Sequence, residues 1–347
     1  MPEYILSFVL AVGIALVVTP GVIFIAHITG ALDRPDGRKV HKKPIPRIGG
    51  AGIYTAFMFS VGITAVMVDF NGEMFHEVIG LVFAGTLIFV LGLIDDYKNL
   101  PAKVKLLGQI FAAAVLVLGF DIKIDFITDP FGDFIYLESF IAVPATIFWL
   151  VGLTNTVNLI DGLDGLAAGV SAIASVTILL VALQQNFLLV AIMTGALAGA
   201  AVGFLFYNSN PARIFMGDSG SMFFGFMLAG ISVTGSMKST ATIALIVPIL
   251  ALGLPILDTA FAIVRRWRGG QPIFKPDKGH LHHRLLSLGF THKQAVLLMY
   301  VISAMLGVSA VALTEVSSQI AIIIMLAIVG AIFYGAKKLG ILRLADR

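Results

Sequence analysis

Five short segments of this chain concentrate side chains suited to phosphate and to a hard cation. The first is Leu91-Gly92-Leu93-Ile94-Asp95-Asp96-Tyr97-Lys98, two adjacent carboxylates ending an apolar run. Neighbouring helical positions point about 100° apart, so one aspartate can face a cation while the other faces a substrate. Carboxylates at a helix C-terminus also oppose the macrodipole and call for compensation, by Mg2+ or by a lysine such as Lys105. The second segment, Asn158-Leu159-Ile160-Asp161-Gly162-Leu163-Asp164-Gly165, puts Asp161 and Asp164 on one face if it is helical. Asn158 adds a neutral oxygen suited to a hard cation, and the glycines let a ligand approach the backbone. A turn in which an aspartate caps the next helix accounts for the same residues about as well.

In the third segment Asn208 precedes Asp218, which opens an apolar helix. Asp218 is either an N-cap or an oxygen ligand of Mg2+. Acidic groups from three loops share a need for a counter-ion, which favours the metal. The fourth is Asp277-Lys278-Gly279-His280-Leu281-His282-His283-Arg284-Leu285. Its histidines are too close in sequence for a tetrahedral zinc site. Imidazole N–H groups and a guanidinium suit pyrophosphate oxygens better, with a solvated basic loop as the alternative. The fifth, Val40 to Gly50, carries Lys42 in a basic loop stiffened by prolines, where anchoring to the inner membrane surface explains part of the charge.

The elements that must position these groups are apolar helices. Of 347 residues, 58% are hydrophobic and 12% charged, with a mean hydropathy of +0.98. Soluble domains are nearer a quarter charged. Stretches long enough to cross a bilayer number about eleven, near 4–28, 50–68, 78–94, 106–120, 139–154, 166–183, 187–206, 219–235, 241–264, 294–313 and 318–336. The expected fold is an all-α polytopic membrane protein forming one domain over 1–347, with no room for a second soluble domain. All but Lys123 and Lys238 of the 23 lysines and arginines fall in loops or a tail on one side. That places the amino terminus outside and the carboxyl terminus in the cytoplasm.

Glu3, where a signal peptide would carry basic residues, argues that the first helix is retained. The chain has no cysteine, which excludes disulfide and thiolate chemistry. A net charge of +3 suits anionic headgroups or a phosphorylated substrate, and no soluble basic face exists for nucleic acid. Alternation around a central turn predicts a small outer β-hairpin near 121–137. Pro248 and Pro255 predict a kink in the ninth span.

With this topology the five segments meet at one membrane face, as in an enzyme working at the lipid–water boundary. A transporter of a nucleotide sugar or lipid carrier is the alternative, but it would hold ionisable groups near the bilayer midplane and show repeats. The spans hold almost none, since Asp258 lies near the inner boundary and His27 ends the first helix.

Together the segments resemble the polyprenyl-phosphate N-acetylhexosamine-1-phosphate transferases, sisters of the phospho-MurNAc-pentapeptide translocase. Asp95-Asp96 matches that family's acidic pair, and Lys105-Leu106-Leu107-Gly108-Gln109 its lysine motif. Asn158 to Gly165 matches NxxDGxDG, Gly217-Asp218-Ser219-Gly220-Ser221 matches GDxGS, and His280 to Arg284 matches HxHHR. One such motif is weak; five in register over nearly the whole chain are specific. The histidine motif has the form of the UDP-N-acetylglucosamine branch. Lys98 sits one position earlier than in the translocase pattern and is assigned no role.

The resemblance implies a multi-pass enzyme of the cytoplasmic membrane with its active site facing the cytoplasm. It would transfer N-acetylglucosamine 1-phosphate from UDP-GlcNAc to undecaprenyl phosphate and release UMP, the first membrane step of teichoic-acid, O-antigen or related envelope polysaccharide synthesis. Asp95, Asp96 and Asp218 would be catalytic. Asp218 with Asn158 would hold Mg2+, or Mn2+ in its place. Lys42, Lys105, His280, His282, His283 and Arg284 would hold phosphate oxygens, while Asp161, Asp164 and Asn208 line the nucleotide or support the metal. A phosphomonoester has a second pKa of about 6, so a base adds little and direct attack by the lipid phosphate is preferred over a covalent aspartyl intermediate. A homodimer is compatible with this reading.

Overall fold

The computed structural model describes residues 1–34, 44–68, 70, 72–128, 134–236, 243–268, 270, 280–316 and 318–338. Within hydrocarbon every backbone polar group must be satisfied inside the chain, and these apolar runs meet that demand as helices. They are α1 (Glu3–Thr29), α2 (Gly50–Met67), α3 (Gly72–Lys98), α4 (Ala102–Ala114, continuing as a π-turn over Val115–Gly119), α5 (Ser139–Ile160), α6 (Leu166–Gln184) and α7 (Leu188–Asn208). There follow α8 (Gly217–Ser236), α9 (Ile243–Ala251), α10 (Gly253–Arg268), α11 (Leu281–Ser287), α12 (His292–Leu313) and α13 (Ser318–Lys338). Among the described residues eight helices are long and apolar enough to cross a membrane: α1 to α7, with the π-turn extending α4, and α12. The other three expected stretches are helical too, as α8, as α9 with α10, and as α13. The protein is a multi-pass membrane protein.

The predicted kink in the ninth span falls at Leu252, the single residue between α9 and α10. Pro255 has no N–H to offer the Ala251 carbonyl, so one rung of the helical ladder is missing there. The neighbouring rungs are kept: the Leu252 N–H donates to the Pro248 carbonyl at 2.9 Å, and the Leu252 carbonyl accepts from Ile256 at 3.0 Å.

Packing relies on small residues, because lipid supplies no hydrophobic drive between helices. Gly195, Gly199 and Gly203 make a stripe on α7 against α1, where a Cβ at Gly203 would lie 2.6 Å from the Ala15 Cβ. Near the C-terminal end of α3, a Cβ on Gly92 would lie 2.5 Å from the Ser219 Cα. That approach brings the two aspartates of α3 onto the start of α8.

Two small antiparallel ladders complete the fold. The expected hairpin is present as β3 (Phe126–Thr128) paired with β4 (Phe134–Tyr136), and its tip lies outside the described residues. The other ladder was not expected: β1 (Leu32–Asp33) pairs with β2 (Ile45–Pro46). Beyond β2 the chain is laced to the segment entering α8. Phe215 N–H donates to the Pro46 carbonyl at 2.8 Å, Gly49 N–H to Phe215 at 3.0 Å, and Gly50 N–H to Met216 at 2.8 Å.

Candidate active site

The ends of α3, α4, α5, α7 and α8 carry the expected residues to one mouth. Lys105, in the first turn of α4, lies between two carboxylates. Its Nζ is 2.7 Å from Asp218 Oδ2 and 3.1 Å from Asp95 Oδ2. Lys105 is thus placed to compensate Asp95, as its position in the sequence suggested. The other Asp95 oxygen accepts the Leu100 N–H at 2.5 Å. Asn158, in the last turn of α5, donates to Asp218 Oδ1 at 3.1 Å and to Ser221 Oγ at 2.9 Å.

Asp96 departs from the role its neighbour suggests. Its Oδ1 accepts the Asp218 N–H at 2.8 Å, and its Oδ2 accepts the Ser219 N–H at 3.1 Å and the Ser219 hydroxyl at 2.5 Å. The carboxylate is buried. It caps the N-terminus of α8. The macrodipole conflict read from the sequence is resolved here, since the C-terminal end of α3 is placed at the positive end of α8. Arg47 stands by, with Nη2 3.9 Å from Asp96 Oδ1 and Nη1 donating to Asn99 at 3.0 Å.

The cap demands glycine at 217. Gly217 has φ +71°, and a Cβ there would overlap the Arg47 carbonyl and lie 2.6 Å from both Asp96 oxygens. Gly217→Ala is expected to lower transfer at least tenfold and to lower the melting temperature. A variant with wild-type melting and activity would show that the cap is dispensable. Left-handed strain of this kind costs roughly 1–3 kcal/mol before the steric clash is added.

The Asn158–Gly165 segment is a turn beyond Ile160, so Asp161 and Asp164 do not share a helical face. Asp164 Oδ2 accepts from Asn210 Nδ2 at 2.9 Å and from the Ala212 N–H at 3.0 Å. Asn208 Oδ1 accepts the Gly165 N–H at 3.0 Å while its Nδ2 donates to the Ile214 carbonyl at 2.9 Å. Tyr300 of α12 donates to the Gly165 carbonyl at 2.5 Å. Asp164 and Asn208 therefore join two loops to each other. Asp161 is different, as its carboxylate makes no hydrogen bond to another described residue. Burial, and then the charges of Asp218, Asp96 and Asp164, push its carboxyl up to about 8.

The histidine segment, expected as a loop, is helical over α11 and lies against this turn. A Cβ on Gly162 would be 2.5 Å from His282 Nε2. His282 is buried with neither ring nitrogen hydrogen-bonded among the described residues. Burial, and then its neighbour His283, lower its pKa to about 4, so it is neutral at physiological pH. The His282 and His283 ring centroids are 4.2 Å apart, and His283 is exposed. Arg284 is half-buried on the same helix. His280 Nδ1 is 2.9 Å from Asp258 Oδ2. Lys42 lies outside the described residues.

Arg47, Ser219, Ser221 and Asp258 were not assigned roles from the sequence. Ser219 and Ser221 stand inside a segment already singled out, so their proximity to Asp218 was a usable signal. Arg47 and Asp258 act across long sequence separations and left no local sign.

Among the described residues no group of three or more His, Asp or Glu is placed to hold a metal ion by itself. Mg2+ does not require one, since it is commonly held by one or two carboxylates with waters and substrate phosphates. Asp218, Asp161 and the Asn158 amide oxygen are donors of that kind.

Glycosyl transferase family 4 matches residues 78–236, which span the acidic pair through α8. Over 324 residues, 93% of this chain and 88% of the relative, the sequence is 38% identical to a probable undecaprenyl-phosphate N-acetylglucosaminyl 1-phosphate transferase of Bacillus subtilis. It is 39% identical over 295 residues, 78% of this chain and 72% of the relative, to a decaprenyl-phosphate N-acetylglucosaminephosphotransferase of Mycolicibacterium smegmatis. An undecaprenyl-phosphate alpha-N-acetylglucosaminyl 1-phosphate transferase of Escherichia coli K12 is 27% identical over 287 residues, 82% of this chain and 76% of the relative. The chain belongs to glycosyl transferase family 4.

Proposed function

We propose that this membrane enzyme transfers N-acetylglucosamine 1-phosphate from UDP-GlcNAc to undecaprenyl phosphate, releasing UMP, at the cytoplasmic face of the cell membrane. The observation that carries this is the convergence of Asp95, Lys105, Asn158 and Asp218 in direct contact, in a chain aligned along most of its length with named transferases. The ionisable groups of the site gather at helix ends, which disfavours the transporter reading. Formation of the lipid-linked sugar would begin an envelope polysaccharide such as teichoic acid or O-antigen.

An oxygen of the lipid phosphate attacks the sugar-bearing phosphorus, and the bond to the UMP phosphate breaks. Such a transfer needs positioning and neutralisation of charge on the phosphoryl oxygens more than covalent chemistry. Lys105 is placed to exchange a carboxylate partner for a phosphate oxygen, and Arg284 and the α11 histidines form the opposite wall. Asp95 pairs with Lys105 and Asp96 holds the α8 cap, and the lipid phosphate is itself mostly dianionic at neutral pH, so direct attack is the route we favour. Mg2+, held by Asp218 with Asn158 and Asp161, would supply further neutralisation of the diphosphate.

Purified protein given radiolabelled UDP-GlcNAc and undecaprenyl phosphate is expected to place label in butanol-extractable lipid with one UMP per sugar. EDTA should stop the transfer and Mg2+ restore it. Absence of lipid label would overturn the assignment, and UMP release without any acceptor would overturn direct attack.

A further inference from the structure

Asp258 is a buried carboxylate on α10 that the mechanism above leaves unused. A carboxylate at such depth is costly unless its oxygens are satisfied. Both are: Oδ2 lies 2.9 Å from His280 Nδ1, and Oδ1 accepts the Leu281 N–H at 2.8 Å. An ionised carboxylate can only accept, so the His280 Nδ1 must carry the hydrogen. In the neutral ring Nε2 is then the nitrogen that accepts. His280 is itself buried and stacks on His282, with centroids 5.9 Å apart and planes 9° apart. The two imidazoles are therefore set differently. Among the described residues His282 has no hydrogen-bond partner on either nitrogen, whereas His280 has a carboxylate fixed behind it.

We propose that Asp258 is a positioning residue for the sugar-phosphate transfer, holding His280 in its Nδ1–H form and fixing the start of α11. The inference rests on the transferase reading of the site. One carboxylate performs both tasks, so the register of α11, which also carries His283 and Arg284, is tied to the orientation of the His280 ring. A hydrogen-bonded carboxylate behind a catalytic-site histidine sets which nitrogen faces the substrate, and removing its charge reverses that choice.

The test uses the full-length protein in detergent. Asp258→Asn keeps an oxygen for the Leu281 N–H, but its amide donates toward Nδ1 and shifts the ring hydrogen to Nε2. The variant is expected to lower kcat at least tenfold with KM for UDP-GlcNAc within threefold of wild type. Combined with His280→Ala, it should lose no more than His280→Ala alone, since it acts through that ring. Nitrogen-15 spectra of histidine-labelled wild type should show His280 protonated on Nδ1, with the signal assigned by its loss in His280→Ala. Three results would overturn the proposal: kcat within twofold of wild type, losses that multiply in the double variant, or a wild-type spectrum with His280 protonated on Nε2 alone. The spectrum needs no activity and decides the question even if Asp258→Asn does not fold. A wild type that makes no lipid-linked sugar but shows the Nδ1–H signal would sink the transferase reading and leave the Asp258–His280 arrangement standing.

Discussion

Asp96→Ala is expected to lower the melting temperature of the protein by several degrees and its transfer activity by more than a hundredfold, both together. The single carboxylate accepts the Asp218 N–H, the Ser219 N–H and the Ser219 hydroxyl. Its removal strands three donors in a buried place, at roughly 1–3 kcal/mol for each group left unpaired. The start of α8 would then have to move, carrying Asp218 away from Lys105 and Asn158. Asp96→Asn retains one acceptor and should fall between wild type and alanine in both measurements. Loss of activity in Asp96→Ala with an unchanged melting temperature would mean that the residue reacts with substrate rather than holding the helix.

Asp218→Asn should separate chemistry from folding in the opposite way. The amide is nearly isosteric, and the α8 cap runs through the backbone N–H of residue 218 rather than its side chain. Melting is therefore expected to stay within a few degrees of wild type. Transfer should fall about a thousandfold or more, which corresponds to roughly 4 kcal/mol of transition-state stabilisation. The side chain contacts both Lys105 and Asn158, so it organises the centre in which the diphosphate is expected to sit. Activity retained by Asp218→Asn at saturating Mg2+ would remove the residue as a metal ligand.

Sequence alone reached the helices because their signal is local: long apolar runs and a one-sided distribution of lysine and arginine. It also anticipated the hairpin and an interruption of the ninth span between Pro248 and Pro255. The residues that meet at the mouth were legible by type, as Asp95, Lys105, Asn158 and Asp218 do come together. What each one does was less legible. Asp95 and Asp96 are adjacent, yet one pairs with a lysine while the other caps a helix that begins far along the chain. Asp164 and Asn208 resemble ligands in the sequence and here satisfy backbone groups of neighbouring loops. The helical turn of α11 was missed because Asp258, which accepts its first N–H, lies on another helix. The β1–β2 ladder was missed because two-residue strands carry no alternation to read.

The Asp161–Gly165 turn is braced from α7 by Asn208, from the following loop by Asn210 and Ala212, and from α12 by Tyr300. Its shape is thus settled during folding, and little ordering entropy remains to be lost when a nucleotide sugar arrives. α11 meets that turn at Gly162 and is held at its own first residue by Asp258 of α10. A turn fixed in advance discriminates by shape, because it cannot adjust itself to a poor fit.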